Sequence, residues 1–334
     1  MQPIRNPMAK LAIHVVLIVF SVYSVLPMFW TALQSFKNVR QANSRTPLFI
    51  FEPTFSNYAD LWLESTPENF ATVGFTLVAV SVVLILLALS ARFLPVPSSY
   101  VYVGVTLGFV IVLNVLPRVI DTAEFYDYFI NTLIVTGGTV VISISIGCLA
   151  GYALARYRGI TGLIILIAAL GFRALPRMAF VLPFFWLGRA VGLHDTLFLL
   201  TMTLVAVNQP FTIWMLRSFF MDIPKELEES AMVDGADRFM AFRKVIVPIM
   251  WPGIISTALF TLLLAYNEFL LARVLTQSNW TLPVAIAQFT GGEDPGHITL
   301  ASAAAVSATI PIVIVILFFQ KQLVKGLAAG AVKG

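Results

Sequence analysis

From Leu11 to Phe36 the chain carries no Asp, Glu, Lys or Arg, and charge-free stretches of similar length recur along its 334 residues. A helix needs about 20 apolar residues to cross the hydrocarbon core of a bilayer. Apolar runs at roughly 11–33, 70–91, 97–117, 129–155, 162–188, 196–217, 250–272 and 301–320 therefore predict eight spans of an all-α membrane protein. Composition agrees, since only 11% of residues are charged where soluble domains carry about 25%. The first run lacks a small-residue cleavage site and ends in PMFWTALQSF, so it is expected to be retained as a helix.

Basic residues orient the spans. With the N-terminus inside, Lys37, Arg40, Arg45, Arg118, Arg189 and Arg273 fall outside and Arg173 and Arg177 fall within a span. The other thirteen of the 21 Lys and Arg lie in cytoplasmic segments, an asymmetry that predicts both termini in the cytoplasm.

Several function classes find no support. The net charge of +4 comes with no basic face or recognition motif, so no nucleic-acid partner is expected. The single cysteine, Cys148, rules out an internal disulfide, and the three histidines show no metal-ligand spacing. No GxxxxGK[ST] run exists, so the chain is expected to bind no ATP or other cofactor itself. No nucleophile with a nearby base is evident either, and no catalytic residue is assigned.

The most polar stretch is KELEESAMVDGADRFMAFRKVIVPIMWPG, from Lys225 to Gly253. Asp222 is placed to cap a helix with Pro224 in its first turn and Glu226, Glu228 and Glu229 near its positive end. Gly235 is expected to stop that helix. A second short helix is expected from about Asp237 to Ile246, with Phe239, Phe242 and Val245 on one face and Pro248 and Pro252 opening the next span. Two short helices joined by a glycine turn make a cytoplasmic knob at 222–250, either an interfacial hairpin or a docking element.

The segment EESAMVDGADRFMAFRKVIVP resembles the EAA loop of ABC importer permeases. Glu229, Ser230 and Ala231 occupy the EAA positions, Asp234, Gly235 and Ala236 the turn, and Val245, Val247 and Pro248 the end. The departures, Ser230 for Ala and Val for Ile and Leu, are small. The flanking stretches YFINTLIVT, GYALARYRG, LPFFWLGRAVGLHDT, AYNEFLLA and GLAAGAVKG are similar to the maltose-type, carbohydrate-importing branch. The resemblance implies a type I ABC importer transmembrane subunit whose knob docks in a separate ABC ATPase dimer. It also implies a sister permease, an extracytoplasmic solute-binding protein, and ATP and Mg held by the ATPase in the inner membrane of a bacterial cell.

In the family the first outer loop leads directly into YFINTLIVT and there are six spans. Here a first span and outer loop (1–65) is followed by an inserted two-span hairpin (66–124) and then a permease core (125–334). An insertion of two spans leaves the downstream orientation unchanged.

Polar groups at membrane depth cost roughly 2.5–3.5 kcal/mol on insertion scales and mark candidate pathway positions. Asn267 and Glu268 either face the pathway, where they would bond sugar hydroxyls, or lock one helix to another. Arg173 and Arg177, four residues apart, are expected on one helix face. They either meet an anionic group on the solute or pair with Glu268 or a neighbouring subunit. Asn208 and Gln209, before Pro210, are a third candidate, for which helix-to-helix bonding is the other reading.

SNWTLPVAIAQFTGGEDPGH, Ser278 to His297, resembles the periplasmic scoop loop of such permeases, with Asn279, Trp280, Thr290, Gly291 and Gly292 as candidate binding-protein contacts. The tail from Gln320 to Gly334 is expected to be flexible and basic, touching anionic lipid or the ATPase side. A secondary active transporter, or a lipid- or drug-type permease, is the rival class. It would rely on Glu268 and the arginines for coupling and would show inverted repeats, which are not evident.

Overall fold

The computed structural model describes residues 7–63, 80, 104, 108, 110–113, 117, 121–157, 159–290 and 296–331. The inserted hairpin 66–124 lies, for the most part, outside them. Lipid offers backbone groups no partner, so segments at membrane depth satisfy their own hydrogen bonds as helices. Apart from one isolated bridge between Leu63 and Thr122, the described residues accordingly form helices and turns.

The long helices are α1 (Pro7–Ser35), α4 (Glu124–Arg156), α7 (Leu197–Met221), α10 (Val247–Tyr266) and α13 (His297–Ala331). Shorter elements connect them: α2 (Val39–Ala42), α3 (Ser56–Trp62), α5 (Thr161–Arg173), α6 (Arg177–Ala190), α8 (Glu226–Val233), α9 (Arg238–Ala241), α11 (Leu270–Leu275) and α12 (Leu282–Thr290). Among the described residues five helices are long and apolar enough to span, six if the bent pair α5–α6 is one broken span.

The structure corrects several sequence expectations. The run 162–188 is two helices meeting at 94°, because Pro176 lacks an N–H to continue the ladder and takes an extended ψ of 133° between them. The run 250–272 ends at Tyr266, and a break at 267–269 separates it from α11. The tail expected to be flexible continues α13 as far as Ala331. Residues 282–290 of the scoop-like stretch form the helix α12, with Leu282, Val284 and Ala285 buried.

The chain divides into two compact units, Met1–Tyr126 with Ile286–Thr309, and Asp127–Ala285 with Ile310–Gly334. In the first, α1 is exposed within this chain from Lys10 to Phe29, as expected of an apolar helix that faces lipid or another subunit. Asn57 ties α3 to the end of α1 by donating to the carbonyls of Ser35 and Lys37, both at 2.8 Å. The ends of the inserted segment meet: Leu63 bridges Thr122, Ala123 N–H donates to Trp62 O at 3.1 Å, and Trp62 packs edge-on against Phe125 at 4.9 Å.

The second unit holds two apolar clusters. One joins Val135 of α4, Val181 of α6, Leu199, Leu200 and Leu204 of α7, and Leu271 and Leu275 of α11. The other, nearer the knob, joins Leu216 and Phe220 of α7 with Phe242, Ile246, Met250 and Ile254, and Cys148 and Tyr152 of α4 pack against it.

Candidate functional site

The knob begins where α7 stops. Asp222 closes the C-terminus of α7 instead of capping the next helix, and α8 starts at Glu226, two residues beyond Pro224. With no side-chain cap, α8 has Glu226, Glu228 and Glu229 in its first turn, where carboxylates complement the unpaired N–H groups.

The C-terminus of α8 explains the motif's spacing. Ala236 N–H donates to Ala231 O at 3.0 Å and Gly235 N–H to Met232 O at 3.1 Å, the paired bonds of a Schellman motif. Gly235 sits at φ +91°, a conformation glycine adopts without strain. Asp237 then caps α9, its Oδ1 accepting from Met240 N–H at 2.7 Å. A π-helical turn, Phe242–Ile246, leads without a gap into α10, so the second knob helix is the root of a span and Pro248 lies near its start. This corrects the expected separate helix: Phe242 and Ile246 are buried while Phe239 is exposed.

The knob presents Leu227, Val233, Phe239 and Met240 outward, Val233 with 87% of its surface exposed. Glu229, Ser230, Asp234 and Pro248 are exposed beside them, and Ala231 and Ala236 half-buried. Such an apolar, acid-rimmed projection suits a socket on another polypeptide.

Sequence reasoning passed over the residues that anchor this knob. Glu228 is buried, and its carboxylate accepts from the Tyr152 hydroxyl and, at 3.0 Å, from Arg156 Nε. The available signal was Tyr152 and Arg156 themselves, four apart on one face at the end of α4 in GYALARYRG.

At the interruptions of the broken helices, Arg177 at the start of α6 pairs with Glu268, whose side chain is 3% exposed and whose other oxygen accepts from Leu271 N–H at 3.1 Å. Arg173 closes α5 and stacks its guanidinium 4.6 Å from the Phe211 ring centre. The bend between the two arginines puts them on separate helices, so the expected shared face is not formed. Asn267 is exposed and donates to Leu263 O within its own chain turn. Asn208 is buried in α7, and Gln209 donates to Ser143 O of α4 at 3.2 Å. Gln209 also borders an apolar cavity of about 250 Å³ lined by Leu154, Ile165, Leu166 and Pro210.

On the opposite arm, Asp195 holds the turn before α12. Among the described residues it is the one non-glycine at positive φ, 59°. Its carboxylate accepts from the N–H groups of Gln277, Ser278 and Asn279 at 2.7, 3.2 and 3.3 Å and from the Ser278 hydroxyl. Partial burial pushes this carboxyl up, but those donors outweigh it and leave its pKa below the ordinary range. Asn279 returns a bond to Asp195 O at 2.7 Å, and Trp280 lies between Tyr128 and the Arg273 guanidinium. Thr290 is exposed at the end of α12, and Gly291 and Gly292 lie outside the described residues. No cluster of metal-ligating side chains occurs among the described residues.

Several spanning helices, two of them interrupted by ion-paired breaks, and a projecting helical knob define a multi-pass permease of the kind that works with other subunits. Residues 143–329 match the family described as binding-protein-dependent transport system inner membrane component, and the chain belongs to that family. It is 40% identical over 216 residues to the trehalose transport system permease protein SugB of Mycobacterium tuberculosis, covering 63% of this chain and 78% of the relative. It is 38% identical over 217 residues to the trehalose/maltose transport system permease protein MalG of Thermococcus litoralis, covering 64% and 77%. A crystal structure of a bacterial ABC transporter involved in the import of the acidic polysaccharide alginate has the same fold, with TM-score 0.66, 20% identity, and coverage of 96% of this chain and 99% of that chain.

Proposed function

We propose that this chain is the permease subunit of an ATP-driven, binding-protein-dependent importer for a sugar or sugar-like solute. The observation that carries the reading is the knob: two short helices set at a fixed angle by the Gly235 turn, apolar at the tip, and continuous with a membrane span. Glu229, Ser230, Ala231, Asp234, Gly235, Ala236 and Pro248 form the face that an ABC ATPase dimer receives. ATP and Mg reside on that ATPase, and its closure draws the knob of this chain toward that of a sister permease. The permease pair then opens outward beneath a loaded solute-binding protein, which meets the turn around Asn279 and Trp280 and the end of α12 near Thr290. Both termini lie in the cytoplasm.

The solute class is polyhydroxylated. Arg177 is neutralised by Glu268, whereas Arg173 keeps its positive charge against the face of the Phe211 ring. Relatives named for trehalose and maltose transport support the same class.

The test is reconstitution. The permease should co-purify with an ATPase whose hydrolysis rises when the loaded binding protein is added, and vesicles should accumulate solute only with ATP inside the ATPase compartment. Glu229→Lys or Gly235→Val should abolish accumulation. Uptake that persists at wild-type rates in either variant, or that follows a proton or sodium gradient without ATP, refutes the assignment.

A further inference from the structure

The side chain that ties the knob to the membrane bundle is the neighbour of the motif's glutamate. Glu228 points inward from the first turn of α8, while Glu229 is exposed. Its carboxylate takes two groups from the last turns of α4, the Tyr152 hydroxyl and Arg156 Nε at 3.0 Å, and the two charged side chains are only 16% and 11% exposed. Arg156 continues the chain of contacts, its Nη1 lying 3.3 Å from the carbonyls of Phe220, near the end of α7, and Ile223. The Tyr152 ring packs against Phe220 at 5.7 Å and against Phe242, the first residue of the π-helical turn, at 4.7 Å. One carboxylate thus joins α8 to the end of α4, Arg156 carries the link on to the end of α7, and one tyrosine joins the ends of α4 and α7 to the root of α10.

We propose that Glu228, Tyr152 and Arg156 form the transmission joint of this permease, the positioning residues through which knob displacement moves α4, α7 and α10 as one body. The proposal rests on the importer reading above. Its physical basis is directionality. Apolar packing resists separation but tolerates sliding, whereas a planar guanidinium shared between a carboxylate and two helix-end carbonyls fixes rotation and translation together. A π-helical turn at the junction adds a local register change of the kind found at functional sites. Glu229, by contrast, has its carboxylate in the solvent-facing layer of the knob, so the two adjacent acids divide the work between an external socket and an internal link.

The experiment assembles the complete importer from this permease, its sister permease, the ATPase and the binding protein in proteoliposomes, and measures solute uptake and ATP hydrolysis in the same vesicles. Glu228→Gln and Arg156→Lys should leave binding-protein-stimulated hydrolysis largely intact while uptake per ATP falls about tenfold, the lower end of what a charge-assisted hydrogen bond contributes. Tyr152→Phe keeps the ring packing and removes only the hydroxyl, which donates to the same charged carboxylate, so its ratio should also fall by about tenfold. If a charge variant fails to assemble, the Tyr152→Phe ratio decides the matter. An unchanged ratio overturns the joint. So does a parallel fall of hydrolysis and uptake, which is what a merely structural contact would give. Absence of ATP-dependent uptake in the wild-type complex fails the importer reading itself and takes the joint with it.

Discussion

Removing the Arg177 guanidinium tests whether the paired helix breaks hold each other. Glu268 has a side chain 3% exposed, one backbone donor at 3.1 Å from Leu271, and Arg177 as its cation. Breaking a buried ion pair by deleting one partner costs about 3–5 kcal/mol, because the remaining charge stays desolvated. The Arg177 side chain is 44% exposed, so screening of its half brings the expectation for Arg177→Ala down to about 2–3 kcal/mol. Glu268→Gln retains an oxygen for the Leu271 N–H and removes the charge, leaving a half-exposed arginine, for about 1 kcal/mol. The double variant strands no charge at all and should also cost about 1 kcal/mol, since neutral replacement of buried pairs is often tolerated. A double-mutant cycle on denaturant-induced unfolding in mixed micelles should therefore return a coupling of about 2–3 kcal/mol. If Arg177→Ala proves no more damaging than the double variant, the pair does not stabilise the breaks and the reasoning fails.

Three further outcomes follow from local geometry. At Gly235 a Cβ would meet nothing within 4 Å, so substitution costs backbone strain alone; Gly235→Asn should retain much more ATP-coupled uptake than Gly235→Val, the latter losing about 1–2 kcal/mol at a left-handed position. Because the folded pKa of Asp195 lies below its unfolded value of about 3.9, its stabilising contribution is complete above that value and is lost as pH falls through the folded pKa. Asp195→Asn should cost about 1 kcal/mol at neutral pH, with unfolding that is flatter than wild type below about pH 4, as followed by tryptophan fluorescence. Replacing residues 64–120 by a short Gly-Ser linker should leave a chain that still inserts and co-purifies with its partner subunits, because Leu63 and Thr122 already pair; loss of all assembly would refute that reading.

Spans were legible in the sequence because insertion depends on a one-dimensional quantity, the spacing of charges, and α4, α7 and α13 contain the runs marked out by it. The knob was legible for a different reason: its turn depends on a backbone conformation that glycine adopts without strain, and Gly235 with Ala231 and Ala236 supplies the Schellman bonds locally. What escaped was set by partners distant in the chain. Glu228 and Glu229 are indistinguishable until α4 delivers Tyr152 and Arg156 to one of them. Asp195 has no local signature, since all its donors lie about eighty residues later. Arg173 and Arg177 misled because the four-residue rule presumes a continuous helix, and Pro176 between them removes that premise.

Within a bilayer, packing between apolar helices gains little from the hydrophobic effect, because lipid is as apolar as leucine. Such interfaces are held by dispersion and slide at small cost. Directional polar contacts then decide which segments move together, and the two salt bridges found among the described residues sit at such decisions. Arg156–Glu228 binds the knob to the ends of two helices; Arg177–Glu268 binds one helix interruption to another. Between them lie spans whose mutual contacts are apolar or rest on single neutral bonds such as Gln209 to Ser143 and Thr212 to Thr261. A bundle built this way bends at its breaks and slips along its apolar seams while its charged joints stay closed. If the proposed joint holds, a push at the knob reaches the interrupted helices as rigid-body motion and is not absorbed as local unfolding.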